Sequence, residues 1–113
     1  MMNSQGWIRG MMSKSYETEQ FLTHVVTTIE RQLKLWDEHY EVRLLQDLMN
    51  DGMYFIVVYS NKNEYKVSIN EADTALLQDV SPFSLDRHIW RSLVKEGLVM
   101  GESDGNYLTY CAV

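Results

Sequence analysis

The sequence has 113 residues, of which 45% are hydrophobic and 23% are charged, and it includes three Trp, seven Tyr and three Phe. A chain of this length and apolar content is large enough to fold as one domain without a metal or a disulfide, and its composition excludes wholesale disorder. The formal net charge of −6 opposes nonspecific binding to nucleic acid and to anionic membranes. There is no long apolar run, no signal-peptide pattern and only one cysteine, so we expect a cytoplasmic protein without disulfides.

Residues 1–14 show no apolar periodicity and include two glycines and four methionines. This pattern is typical of a flexible leader, and we predict that the folded domain spans residues 15–113 and does not need the leader. From Ser15 to Trp36, apolar residues recur every three or four positions, which predicts an amphipathic helix. Its stripe consists of Phe21, Val25, Ile29, Leu33 and Trp36, widened by Leu22 and Val26.

The apolar period falls to two after His39, which predicts strands over residues 40–44, 53–59 and 65–69. The triplet at 50–52, Asn-Asp-Gly, favours a tight hairpin because glycine supplies the positive φ angle that such turns need. The middle segment contains only apolar and aromatic residues, so it is predicted to be a central strand buried on both faces. The three strands are expected to pair antiparallel.

Two helices and a hairpin are predicted for the rest of the chain. Asn70 is a suitable N-cap for a short helix that ends near Asp79, before the helix-breaking Pro82. A second apolar stripe ends at Gly97, a residue type typical of left-handed helix caps. The closing hairpin is predicted to join Leu98–Met100 to Tyr107–Tyr110. The predicted fold class is α+β, a three-stranded antiparallel sheet open to extension by the hairpin, with helices on one face and the order α-β-β-β-α-α-β-β.

The side chains with catalytic or metal-binding potential are scattered along the chain. His24, His39 and His88 lack the close spacing of metal ligands, and Cys111 lies on the predicted last strand, where a small buried hydrophobe is expected. Neighbouring carboxylates occur at predicted helix ends and turns, where capping and solvation roles are expected. These are Glu17 with Glu19, Asp37 with Glu38, and Asp47 with Asp51. We therefore expect no catalytic residue, no metal site, no cofactor and no enzyme activity.

The order of elements over residues 15–79 is similar to that of double-stranded RNA-binding domains. That family needs a lysine cluster at the start of its last helix, where this chain has Asn-Glu-Ala-Asp at 70–73. The segment 89–99 with its predicted hairpin is similar to the end of a winged-helix domain, but predicted strands stand where that fold has its first helices. Together with the net charge, these departures favour a protein that does not bind nucleic acid directly.

The predicted central strand has large apolar residues on both sides, which indicates an interaction surface on one face of the sheet. If Tyr59 pairs with Tyr65, the face that carries Lys66 and Ser68 also receives three alternate residues of the central strand. A register shifted by one residue exchanges the two apolar trios of that strand. The candidate interaction face consists of Tyr54, Ile56, Val58, Lys66 and Ser68. Either a later helix or hairpin covers this face, or it binds a second copy or another protein.

We expect a small, acidic, non-catalytic bacterial protein that acts by protein–protein contact, as a homodimer or with another protein partner. Two alternatives stay open. One is an inhibitor of a nucleic-acid enzyme, because small acidic α/β proteins of phages are similar to this chain in composition, and some of them mimic nucleic acid. The other is a small-ligand binder or an enzyme whose site carries no recognisable motif.

Overall fold

The computed structural model describes residues 4–102 and 105–113, and it describes side chains from Gly6 onward. The helices are α1 (Ser4–Ser15), α2 (Thr18–Trp36), α3 (Glu71–Val80), α4 (Ser84–Lys95) and α5 (Tyr107–Cys111). The strands are β1 (Glu41–Gln46), β2 (Met53–Tyr59) and β3 (Glu64–Asn70). The predicted α+β class with a three-stranded antiparallel sheet is confirmed. Within the described residues, no helix combines the length and the apolar character needed to cross a membrane.

Helix α2 forms the centre of the core because its apolar stripe follows the helical period. Phe21, Val25, Ile29 and Leu33 are completely buried. The helix begins after Glu17, two residues beyond the start predicted at Ser15. The Glu17 backbone N–H donates to the Gln20 side chain at 3.3 Å. This side-chain acceptor satisfies one of the backbone donors that a helix leaves open at its start.

The sheet has the order β1-β2-β3, so β2 is the central strand. Gly52 adopts a φ of 79° in the first hairpin, as the Asp-Gly signal predicts. In the second hairpin, Tyr65 pairs with Val58 and not with Tyr59, so the register differs by one residue from the pairing assumed for the candidate face. Helices α2, α3 and α4 pack on one face of the sheet.

Helix α3 begins at its predicted cap, and helix α4 ends at the predicted glycine. The Asn70 side chain accepts a hydrogen bond from the Asp73 backbone N–H at 2.7 Å, which caps α3. Gly97 adopts a φ of 108° after α4, and the Leu98 N–H returns to the Leu93 carbonyl at 3.0 Å. Leu98 is buried as a result, which is the hydrophobic contact that accompanies this type of helix end.

The predicted closing hairpin is wrong, because Tyr107–Cys111 forms helix α5 and residues 98–102 form no strand. Part of the predicted turn, residues 103 and 104, lies outside the described residues. Three apolar side chains of α5 are buried against the core, which a helix achieves and an edge strand does not. The preceding segment passes tightly over α2, since a Cβ on Gly101 would lie 2.6 Å from Cδ1 of Trp36.

The prediction of a flexible leader over residues 1–14 is wrong for residues 4–14, which belong to helix α1; residues 1–3 lie outside the described residues. Helix α1 packs against α3, and its Arg9 is only 2% exposed. A search for apolar periodicity misses this helix because a charged side chain makes its deepest contact. An arginine is buried this completely only when its charge is paired.

Candidate functional site

The two faces of β2 have different surroundings. Tyr54, Ile56 and Val58 point toward the helices and are 5%, 0% and 0% exposed, so they belong to the hydrophobic core. Lys66 and Ser68 are exposed and pair with the other trio of the strand. The structure therefore does not bring the five predicted residues together, and the candidate face is wrong as composed. The alternative pairing, shifted by one residue between β2 and β3, is the one that forms.

We call the face that carries Lys66 and Ser68 the outer face. Its central column is Met53, Phe55, Val57 and Tyr59, with Glu41, Arg43 and Leu45 on β1 and Glu64, Lys66 and Ser68 on β3. The helices that contact the sheet lie on the opposite side, over the core trio of β2. The prediction that β2 is buried on both faces is thus only partly correct, because Met53, Phe55 and Tyr59 are half-buried.

Two cations lie over the aromatic rings of the outer face. The Lys66 ammonium is 4.2 Å from the centre of the Phe55 ring, and the Arg43 guanidinium is 5.9 Å from that of Tyr59. Arg43 also donates to the Glu41 carboxylate at 3.1 Å. Long basic side chains cover apolar surface with their stems while the charge stays in water, which explains how Val57 is only 3% exposed on a face that no described helix covers.

The hairpin between β1 and β2 extends this apolar character to its tip. Leu48 and Met49 are 93% and 95% exposed, and Leu45, on the adjoining part of the outer face, is 45% exposed. The Asp47 carboxylate accepts from the Met49 N–H at 2.9 Å and fixes the turn. Large apolar side chains that project from an ordered turn are typical of protein contact sites.

A buried polar cluster connects four of the helices, α1, α2, α4 and α5. Asp86 of α4 is completely buried; one carboxylate oxygen accepts from the Arg9 guanidinium and the other from the Tyr107 hydroxyl, at 2.5 Å. The same hydroxyl accepts from the Trp90 indole at 3.2 Å, and Arg9 also donates to Thr28 of α2 at 3.3 Å. Within the described residues, no buried side-chain polar atom lacks a partner. The cluster therefore fastens α1 and α5 to the core.

Burial controls the protonation of this cluster. Desolvation raises the pKa of Asp86 above its ordinary value, although Arg9 and the hydroxyl of Tyr107 act in the opposite direction. Desolvation, followed by the nearby charge of Asp86, raises the pKa of Tyr107 well above its ordinary value. The ionisation of Asp86 and that of Tyr107 therefore depend on each other, because the two groups share a buried hydrogen bond.

Cys111 is completely buried on α5, as expected of a small hydrophobe, although in a helix and not on a strand. Burial raises the pKa of its thiol to about 12. Because the thiolate is the reactive species, we expect no alkylation by iodoacetamide at about pH 8 in the native protein and complete alkylation in guanidinium chloride. Mass spectrometry measures both; rapid native labelling would contradict the burial of α5.

The histidines and neighbouring carboxylates remain scattered in three dimensions. The described residues contain no group of three His, Cys, Asp or Glu side chains that could hold a metal ion. His39 pairs with Asp37 at 2.9 Å, and hydrogen bonds from its backbone and ring lower the pKa of Asp37. His88 is exposed, whereas His24 is half-buried, and burial lowers its pKa with further help from Arg9 and Arg31.

Two surfaces thus stand out by geometry: the outer face of the sheet with its hairpin tip, and the cavity above the buried polar cluster. The first was partly anticipated from the sequence through the alternative register. The second was not, because its residues come from three distant segments. The chain matches no family model, no curated protein and no solved structure.

Proposed function

We propose that this protein is a non-catalytic interaction module that binds a second copy of itself through the outer face. The observation that supports this most strongly is the apolar column of β2, which no described helix covers. Leu45 and the tip of the first hairpin carry exposed apolar surface at the end of the sheet away from Tyr59. A monomer seldom leaves such a face without a partner.

The charges of the outer face favour a second copy over an unrelated partner. The row of the outer face at Tyr59 carries two glutamates, Glu41 on β1 and Glu64 on β3. The next row, at Val57, carries two cations, Arg43 on β1 and Lys66 on β3. A two-fold axis that crosses the strands between these rows therefore places each glutamate opposite a cation of the partner subunit. The opposite arrangement, with the axis along the strands, places like charges together. A self-complementary patch of this kind is what a two-fold interface requires.

The same two-fold arrangement overlaps the two sheets at the end that carries Tyr59 and Val57. Tyr59 of one copy lies against Val57 of the partner subunit. Arg43 and Lys66 each move from an aromatic ring of their own subunit to a glutamate of the partner subunit. Three strands of six or seven residues cover roughly 14 Å by 23 Å, and the two copies overlap over only part of this area. The overlap is thus well below the ~800 Å² per partner of a standard interface. We therefore expect a weak, concentration-dependent dimer and not an obligate one.

We further propose that the protein is cytoplasmic, takes no cofactor and binds neither nucleic acid nor membranes. The net charge of −6 and the single buried cysteine support this part of the proposal. The exposed cations Arg43 and Lys66 are flanked by glutamates, so they do not form a continuous basic track for phosphates.

Charge exchange on β3 tests the dimer. Lys66→Glu is expected to weaken dimerisation at least about tenfold, because it faces Glu64 of the partner subunit with a second negative charge. The double variant Glu64→Lys/Lys66→Glu reverses both members of each pair and is expected to restore dimerisation. Sedimentation velocity from low-micromolar to sub-millimolar concentration measures the three dissociation constants.

Lys62→Glu is the matched control, since it makes the same charge change in the exposed turn before β3. It is expected to dimerise as the wild type does. A wild type that is monomeric at every concentration would overturn the homodimer, and so would a double variant that stays as weak as the single one.

A further inference from the structure

A cavity of about 460 Å³ lies above the buried polar cluster. Its walls come from α1, from one side of α2 and from Glu102, Gly105 and Asn106 before α5. The residues that matter most are Ile8, Arg9, His24, Arg31, Trp36 and Tyr107. This volume is within the range of natural small-molecule sites, which combine an apolar surface with a few fixed polar groups.

The floor of the cavity is rigid, and its polar side chains already have hydrogen-bond partners within the protein. Arg9 and Tyr107 reach it, and both are held by Asp86. Thr28, which also lines the cavity, accepts from Arg9 and donates to the His24 carbonyl at 3.0 Å. A floor built in this way does not rearrange when a ligand enters, so little binding energy is lost in ordering it.

The rim of the cavity is apolar and exposed. Ile8 and Leu35 are 44% and 75% exposed. Both line the cavity, as does the half-buried Trp36. The Trp36 indole is fixed by its N–H, which donates to the Glu102 carbonyl at 2.6 Å, and by an edge contact with Trp90 at 5.7 Å. A fixed indole beside two aliphatic side chains offers a surface for a flat or branched apolar group.

The charges of the lining select the sign of the ligand. Arg9 is neutralised by Asp86, whereas Arg31 is exposed and forms no salt bridge within the described part of the chain. His24 has a lowered pKa, so it offers neutral hydrogen-bonding groups at pH 7. Glu102 also lines the cavity and opposes ligands with two negative charges, such as phosphate esters. One available cation suits one carboxylate.

We propose that this cavity binds a small organic monocarboxylate with an aromatic or branched apolar body. The carboxylate pairs with Arg31, and the body lies between Ile8, Leu35 and Trp36. This site shares no lining residue with the outer face, so it stands whether or not the dimer forms.

Binding is tested with 3-phenylpropionate, its neutral amide and 3-phenylpropylamine, followed by ¹H–¹⁵N NMR of the whole chain. The carboxylate is expected to shift the indole N–H signal of Trp36 and the backbone signals around Arg31 in a saturable way. The amide is expected to bind at least about fivefold more weakly, and the amine not to bind, because only the carboxylate gains a charge-assisted contact.

Arg31→Gln is expected to bring the affinity for the carboxylate down to that of the amide while leaving the amide unchanged. Leu35→Ser is expected to weaken both compounds, because it removes part of the apolar rim. Lys34→Gln, an exposed neighbour on α2 that does not line the cavity, is the matched control and should bind as the wild type does. Absence of saturable shifts, or an Arg31→Gln variant with unchanged carboxylate affinity, would overturn the proposal.

Discussion

Arg9→Met is expected to lower the melting temperature by more than about 10 °C at pH 7, because removal of one partner of a buried ion pair costs about 3–5 kcal/mol. Arg9 and Asp86 are 2% and 0% exposed, so water cannot replace the lost contact. The guanidinium also lies 4.8 Å from the centre of the Phe83 ring, and methionine keeps only part of that packing. Thermal unfolding followed by circular dichroism measures the change.

The loss of stability is expected to depend on pH in a defined direction. Burial raises the pKa of Asp86 in the folded state above its unfolded value, so stability from this group is fully present below the unfolded pKa and is lost as pH rises through the folded pKa. Arg9 lowers the folded pKa, and its removal therefore raises that pKa further. Arg9→Met should thus recover part of its stability when the pH is lowered from 7 to about 5, where more of the carboxyl is protonated.

Two variants complete this experiment. Lys14→Met, on the exposed side of the same helix, is the matched control and should leave the melting temperature within about 2 °C of the wild type. Arg9→Met/Asp86→Leu removes both charges and should be more stable at pH 7 than Arg9→Met alone. An Arg9→Met variant as stable as the wild type would mean that α1 does not dock through this pair.

Most of the fold could be predicted from the sequence because local signals and tertiary packing agree there. The stripe of α2, the cap at Asn70 and the turn at Gly52 each determine structure within a few residues. The prediction failed at both ends of the chain, where the signal is not local. Helix α1 is held by a buried charge. The three buried side chains of α5 follow helical spacing, but a segment of five residues is too short for that period to be recognised in the sequence.

The candidate site was harder to predict because it depends on register. A shift of one residue between β2 and β3 exchanges every side chain between the two faces, and the apolar run of β2 gives no internal sign of which trio faces the helices. The polar residues of β3 show which face is open, but not which residues of β2 share it. The cavity depends on contacts among residues that are up to about 99 positions apart, which no local pattern encodes.

Lysine at two adjacent positions of β2 is expected to give opposite results. Ile56 is completely buried under the helices, and an isolated ammonium in that core costs about 5 kcal/mol or more, which is comparable with the whole stability of a small domain. Ile56→Lys should therefore not fold. Val57 lies on the outer face, where a lysine stem can extend past its neighbours into water.

Val57→Lys is expected to fold with a moderately lower melting temperature, because the new charge stands between Arg43 and Lys66. It should also be monomeric at concentrations where the wild type dimerises, since a third cation replaces the apolar centre that meets Tyr59 of the partner subunit. Leu76→Lys, on the exposed side of α3, is the control for an added charge and should fold and dimerise normally. Circular dichroism and sedimentation velocity separate the outcomes. If Val57→Lys unfolds as completely as Ile56→Lys, the outer face is a second core surface, and binding must occur elsewhere on the protein.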